Sequence, residues 1–247
     1  MKYLNFNDLN INSNTKVLVV FPHPDDEVMF AGGFMQNAIK TGAKVRLICL
    51  TKGEASTLRF GLKENDDLGQ ARTEELKTAC RILGVADFEV MDFEDGKLQN
   101  HKGLLEERIK SDIENYKPNY VVTYEPHGAY GHPDHIVVSD IITELNNEQK
   151  IGRVATSDDD TKWKLLYATV TPEFNFSEDS LAMAQDPKAI KPIEPNLVIK
   201  LPLSQYINKI RAIKAHKSQM ENSKKTTLET LKRLLYIRNE YFYLFSY

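Results

Sequence analysis

The chain has little cysteine, no strong excess of charge of either sign and no long apolar run. Its two cysteines, Cys49 and Cys80, among 247 residues are too few for a disulfide scaffold or a four-cysteine zinc site. Any metal must therefore be held mainly by histidine and carboxylate. A net charge of −3 gives no general electrostatic grip on nucleic acid or on an anionic membrane surface. Glycine (12) and proline (10) are scattered without a period, which excludes collagen-like and low-complexity chains. The apolar stretches fall far short of a bilayer span, and Met1–Thr15 lacks the basic start and apolar run of a signal peptide. The expectation is a cytoplasmic protein with no integral membrane segment and no nucleic-acid partner.

What is present is an ordinary globular composition, 41% hydrophobic and 27% charged, able to bury a sizeable core. Lys16–Phe21, Lys44–Leu50, Phe88–Phe93 and Tyr120–Glu125 are short, rich in β-branched and aromatic residues, and followed by turn chemistry. The first two are nearly continuous apolar runs, as expected of central parallel strands buried on both faces. Between strands, Leu76, Ala79, Cys80 and Leu83 recur with helical period, as do Val138, Ile141, Ile142 and Leu145. Gly42 and Gly84 follow helix ends, where a left-handed residue is favoured. Strand alternating with helix predicts a Rossmann-like, doubly wound, mostly parallel sheet with helices on both faces. We expect a single domain over residues 1–247, with its core at 16–219.

Beyond residue 150 the pattern loosens. Arg153–Lys162 reads as a polar loop, Lys164–Val170 as a fifth strand and Asn196–Leu201 as a sixth. Thr171–Pro195, with four prolines, reads as a long surface excursion of the kind that often serves as a lid or binding loop. Ser204 is expected to cap a helix bearing Ile207, Ile210 and Ile213 on one face, and Leu228, Leu231 and Leu235 mark another. The tail at 234–247 carries six aromatics, Tyr236, Tyr241, Phe242, Tyr243, Phe245 and Tyr247, and should pack on the domain or at a subunit contact, so a homo-oligomer is allowed. Cys49 and Cys80 lie on apolar elements and read as core fillers.

Two short stretches carry chemistry. Phe21-Pro22-His23-Pro24-Asp25-Asp26-Glu27 directly follows the first strand, where a nucleotide-binding fold would place a glycine-rich phosphate loop; neither such motif is present. Instead an imidazole and adjacent carboxylates stand at the ligand-binding edge of the sheet. Prolines 22 and 24 restrict the backbone around His23. The bland alternative makes Asp25 or Asp26 a helix N-cap and Glu27 a complement to the helix dipole. The second stretch, Glu125 to His135, follows the fourth strand and contains Tyr130-Gly131-His132-Pro133-Asp134-His135. In strand order 3-2-1-4-5, strands one and four are neighbours at the topological switch point, so the two loops converge on one crevice. Two histidines and an aspartate there would leave a zinc position open for water, as catalytic zinc sites do.

At these residues the sequence resembles the PIG-L/LmbE family of zinc-dependent N-acetylglucosaminyl deacetylases. The resemblance rests on His23-Pro24-Asp25-Asp26-Glu27 and on Tyr130 to His135, in their order and separation. Weaker similarities lie at Thr51-Lys52-Gly53-Glu54, Arg72-Thr73-Glu74-Glu75, Asp95-Gly96 and Ala215-His216-Lys217-Ser218-Gln219. It implies that His23, Asp26 and His135 bind one Zn2+ per chain, a donor set that also admits another divalent transition metal. It further implies Asp25 as general base and His132, assisted by Tyr130, as stabiliser of the oxyanion, with a protonated His132 in that role. The substrate would be a small molecule or glycoconjugate bearing N-acetylglucosamine.

Arg72 either forks onto a substrate hydroxyl or phosphate or forms a structural ion pair. Asp95 either binds sugar hydroxyls or shapes a turn, and His216 either reaches the site or packs against it. Glu54 has no derivable role, and His101 and His127 read as incidental. The alternatives are a metal-dependent phosphoesterase, since His/Asp clusters also serve two-metal hydrolases, and a non-catalytic sugar-binding protein on the same fold.

Overall fold

The computed structural model describes residues 3–151, 162–172, 174, 176, 178–184, 186, 188, 190–220 and 235–245. Most of the expected polar loop at 153–162, the helix-patterned Leu228 and Leu231, and Tyr247 lie outside them. Seven strands, β1 (Lys16–Phe21), β2 (Lys44–Thr51), β3 (Asp87–Phe93), β4 (Tyr120–Tyr124), β5 (Lys164–Thr169), β6 (Leu197–Lys200) and β7 (Asn239–Leu244), form one sheet in the order β3-β2-β1-β4-β5-β7-β6. The helical segments are α1 (Asp26–Phe30), α2 (Gly32–Lys40), α3 (Leu68–Leu83), α4 (Lys102–Tyr116), α5 (Gly128–Gly131), α6 (Pro133–Ile151), α7 (Glu178–Ala182) and α8 (Leu203–Ile213). The first five strands pair in parallel, with β1 between β2 and β4. This is the expected doubly wound α/β arrangement, with the expected strand order.

Alternation along β1 divides the core between the faces. Val17, Val19 and Phe21 pack with Phe34, Met35, Leu76 and Leu83 from α2 and α3, while Leu18 and Val20 pack with Leu105, Ile109, Val138 and Ile141 from α4 and α6. Period 2 in the strand thus meets period 3.6 in the helices on both sides. Gly84 ends α3 with φ 84 and Gly42 follows α2 with φ 88, both in the left-handed region. Cys49 and Cys80 are buried free thiols among this packing.

Two expectations are corrected. The aromatic tail does not merely pack on the domain: β7 enters the sheet, antiparallel to both β5 and β6. Its alternation sends Phe242 into one core and leaves Tyr243 and Phe245 against the other. The helix α8 is preceded by Pro202 rather than capped by Ser204, because the fixed proline φ already turns the chain out of β6. Its buried side is Gln205, Lys209, Ala212 and Ile213, and Ile207 is 48% exposed. The Lys209 ammonium reaches the Glu240 carboxylate on β7 at 2.6 Å and the Met29 carbonyl at 2.9 Å, so a paired charge shares the buried side with Ile213, the expected isoleucine that does face the core. Among the described residues no helix is long and apolar enough to cross a membrane.

Candidate active site

The turn after β1 sets the first half of the site. His23 lies between Pro22 and Pro24, and its backbone N–H donates to Asp26 Oδ2 at 3.0 Å. Asp25 adopts φ 106 and ψ −26 and makes no capping hydrogen bond, although it stands at the N-cap of α1. A non-glycine residue rarely enters that region. The consequence is that two adjacent carboxylates diverge. Asp26 turns toward His23 and His135, and Asp25 turns toward Arg72, whose guanidinium reaches Asp25 Oδ2 at 3.2 Å.

The loop after β4 sets the second half. The buried Glu125 carboxylate accepts from the backbone N–H groups of His127 and Ala129, each at 2.9 Å, which closes the chain into a tight hook. Gly128 lies at φ +61, and a Cβ there would stand 2.7 Å from His135 Cβ, so the hook requires glycine. The following α6 then carries His135 back beneath the hook, where its Nδ1 meets the Gly128 carbonyl at 3.1 Å. The His135 ring stacks on Tyr124 with centroids 4.1 Å apart and planes 6° from parallel.

His23 Nδ1, His135 Nε2 and Asp26 Oδ2 converge at mutual distances of 3.2, 3.5 and 3.6 Å. A tetrahedral zinc with ligands near 2.0–2.1 Å needs ligand atoms about 3.3–3.4 Å apart, so the three atoms fit one such ion. Every other polar atom of the three is tied down. His23 Nε2 meets Asp95 Oδ1 at 3.0 Å and Asp134 Oδ2 at 3.2 Å, His135 Nδ1 donates to Gly128, and Asp26 Oδ1 accepts from the Tyr124 hydroxyl at 2.6 Å. Such outer partners fix the tautomers of metal-binding imidazoles. They leave two ring nitrogens facing each other beside a carboxylate, an arrangement that needs a proton or a cation between them. A ring nitrogen of His132 also lies within 4.8 Å of those of His23 and His135. The second acidic group around His23, Asp95 with Asp134, is occupied by backbone donors: Ala55 N–H on Asp95, and Gly96 and Leu98 N–H on Asp134. Those carboxylates orient His23 through its Nε2.

The electrostatics follow from this packing. Burial opposes charge on His23, yet Asp134, Asp26 and Asp95 hold its pKa well above the ordinary value. Burial takes His135 down to about 3. Burial pushes Asp26 up, but His135, His23 and the Tyr124 hydroxyl outweigh it and hold the carboxyl well below the usual range. Asp25 is different: burial and the neighbouring Asp26 raise it to about 6 against the pull of Arg72. Burial and the facing His23 take His132 down to about 4. Its Nδ1 accepts the Asp134 backbone N–H at 3.2 Å, so in place of the protonated ring expected from the resemblance the neutral ring carries its proton on Nε2. Tyr130 is pushed well above the ordinary phenol value by burial and then by Asp26 and Asp25, and it stands edge-on to His135 at 5.0 Å.

Among the remaining singled-out residues, Arg72, Asp95 and His216 are buried. Arg72 is 4% exposed and donates to the Gly53 and Pro24 carbonyls as well as to Asp25. Asp95 holds His23 and, through Gly96 at φ +79, turns the chain as well. His216 is buried and meets Glu27 Oε1 at 3.0 Å. Glu54 gains a role, since its carboxylate accepts the Asp95 backbone N–H at 2.9 Å. His127 is exposed, and His101 packs on Phe93. The excursion after β5 touches the hook, with Phe176 on Tyr130 at 5.5 Å and Ile190 beside Gly131. Sequence reasoning gave no role to Tyr124, Asp134 or Glu125. The available signals were a tyrosine ending the fourth strand, an aspartate inside the second motif, and a glutamate opening its loop.

A profile of the family described as PIG-L, GlcNAc-PI de-N-acetylase, matches residues 18–146. Among curated proteins, a 1D-myo-inositol 2-acetamido-2-deoxy-alpha-D-glucopyranoside deacetylase of Kineococcus radiotolerans is 33% identical over 152 residues, 50% of this chain and 42% of that protein. The protein of the same description from Corynebacterium glutamicum is 28% identical over 235 residues, 87% of this chain and 77% of its own. The chain therefore spans less than half of the first relative and about three quarters of the second. Among solved structures, N,N'-diacetylchitobiose deacetylase from Pyrococcus horikoshii shares the fold, with a TM-score of 0.64 at 20% identity, covering 94% of this chain and 84% of that one.

Proposed function

The chain belongs to the PIG-L family, GlcNAc-PI de-N-acetylase, and from that premise we propose that it is a zinc-dependent hydrolase removing the N-acetyl group from an N-acetylglucosamine conjugate. The observation that carries the proposal is the convergence of His23 Nδ1, His135 Nε2 and Asp26 Oδ2 within 3.6 Å of one another, beside a second carboxylate held in a different protonation regime. Those three residues would hold the ion. When bound, a zinc ion supplies Lewis-acid polarisation of a carbonyl and makes water acidic near pH 7.

The chain's own groups do the rest. Asp25, raised to about 6, is ionised at neutral pH and basic enough to take a proton from the attacking water, the compromise that general-base catalysis favours. The same carboxyl, once protonated, gives that proton to the departing amine nitrogen, so acetate and a free amino sugar result. Arg72 anchors Asp25 Oδ2 and limits its rotation. His132 serves as a neutral donor through Nε2–H, and Tyr130, which keeps its proton, can donate beside it; one such donor to a developing oxyanion is typically worth roughly 10²–10³ in rate. The relatives' substrates, amides of glucosamine joined to a second polar group, support a small-molecule or glycoconjugate substrate. A two-metal phosphoesterase is less well supported, because Asp95 and Asp134 already serve His23 and backbone N–H groups.

Amine release from a panel of N-acetylglucosamine glycosides, measured with zinc-loaded wild type and Asp25→Ala, tests the proposal. Turnover of at least one glycoside by the wild type and its loss in the variant are expected. Equal rates in the two proteins, or release of phosphate from phosphate esters instead of amine from amides, would overturn it.

A further inference from the structure

We propose that Glu27 and His216 form a post that positions the Asp25 carboxylate, an inference that rests on the assignment of Asp25 as general base. Asp25 holds φ 106, and a non-glycine residue stays in such a conformation only where its surroundings over-determine it. One Glu27 oxygen, Oε2, accepts the Asp25 backbone N–H at 2.8 Å, while the other, Oε1, meets His216 Nε2 at 3.0 Å. The Glu27 carboxylate therefore bridges the strained residue and an imidazole from the far end of the chain.

Neither residue fits a simpler role. Glu27 is 1% exposed and His216 0%, so neither can touch a substrate from the crevice. A glutamate that merely complemented the dipole of α1, a helix of five residues, would gain that effect at the surface without the cost of burying a charge. The His216 end of the post is itself anchored. Ser218 donates from its backbone N–H and hydroxyl to the Glu75 carboxylate at 2.8 and 2.7 Å, and Ser56 donates to Gln219 at 2.8 Å. The 216–219 segment is thereby fixed to α3 and to the loop after β2. Asp25 is consequently gripped twice, by Arg72 at its side chain and by Glu27 at its backbone.

Two substitutions separate positioning from charge. Glu27→Gln keeps an oxygen for the Asp25 N–H and offers an amide to His216, which can carry its proton on Nδ1, an atom with no hydrogen-bond partner among the described residues. Glu27→Asp keeps the charge at the helix start but is too short to span both partners. The post predicts that Glu27→Gln stays within about threefold of wild-type kcat, whereas Glu27→Asp loses roughly 10²-fold in kcat at nearly unchanged KM, the scale expected of a misplaced catalytic group. A role in the dipole alone predicts the reverse order. Zinc content and melting midpoint, read on the same samples, establish that each variant is folded and loaded. Should Glu27→Asp not fold, His216→Ala reads the same contact from its other end, with at least about a tenfold loss in kcat expected. Wild-type kcat in folded, zinc-loaded Glu27→Asp or His216→Ala, beside an inactive Asp25→Ala, would overturn the inference alone. An active Asp25→Ala would instead remove the base assignment on which it stands.

Discussion

Replacing Tyr124 by phenylalanine removes one hydrogen bond from the heart of the site and little else. The hydroxyl donates to Asp26 Oδ1 at 2.6 Å, while the ring, which phenylalanine keeps, stacks on His135 at 4.1 Å. A hydrogen bond to a buried charged group contributes about 1.5–3 kcal/mol, so the apo-protein should lose about 2 kcal/mol, or roughly 4–8 °C in melting midpoint for a domain of this size. The hydroxyl also aims the opposite oxygen, Oδ2, at His23 and His135. Loss of an outer partner of a metal ligand typically costs about 10–100-fold in affinity, and zinc affinity should fall by that factor. Competition against a chromophoric chelator measures the affinity, and calorimetry of the metal-free protein measures the midpoint. A folded Tyr124→Phe variant that binds zinc as tightly as wild type would refute the placement of Asp26 among the ligands, whatever happens to its midpoint.

Gly128→Ala should both destabilise and loosen the site. The new Cβ would meet His135 Cβ at 2.7 Å in a backbone held at φ +61, and overpacking of this kind costs about 1–3 kcal/mol; a calorimetric midpoint and a zinc titration both equal to wild type would contradict this. Lys209→Met leaves the buried Glu240 carboxylate without its cation, although Gly33 and Phe34 N–H still donate to it. Urea denaturation should show a loss of about 3–5 kcal/mol, with activity per folded molecule retained. Arg72→Gln removes the positive charge that lowers the pKa of Asp25. A base acts when ionised, so activity is lost as pH falls through its pKa, and the variant should move the acid limb of kcat/KM to higher pH; a limb that stays in place or moves lower would count against Asp25 as the titrating group.

The parts of the fold that were legible are those written in local pattern. β1 and β2 are nearly continuous apolar runs, and a strand buried on both faces by α2, α3, α4 and α6 needs that composition. The two active-site loops were legible because they follow strands whose parallel order places them side by side. β7 was not, because its place between β5 and β6 depends on pairings such as Phe242 with Ala168 and Leu197, far apart along the chain and unmarked by any turn signal. The buried side of α8 was misjudged for a similar reason: Lys209 is inside only because Glu240 meets it there. Within the site, residue type and spacing pointed to two histidines and an aspartate, and only the family resemblance to His23, Asp26 and His135 among them. They could not say whether Arg72, Asp95 and His216 face a substrate or brace a neighbour, since a charged side chain serves either purpose and only its partners distinguish them.

In the proposed function a single ion between His23, Asp26 and His135 serves amide hydrolysis with Asp25 as base. Titration of the metal-free protein with zinc, with acetate release from an N-acetylglucosamine glycoside followed at each addition, tests it most directly. Activity should rise linearly to one equivalent per chain and then stop, and His135→Ala should abolish the break point. Full activity in the metal-free protein, or a rise that continues to two equivalents, would contradict the account.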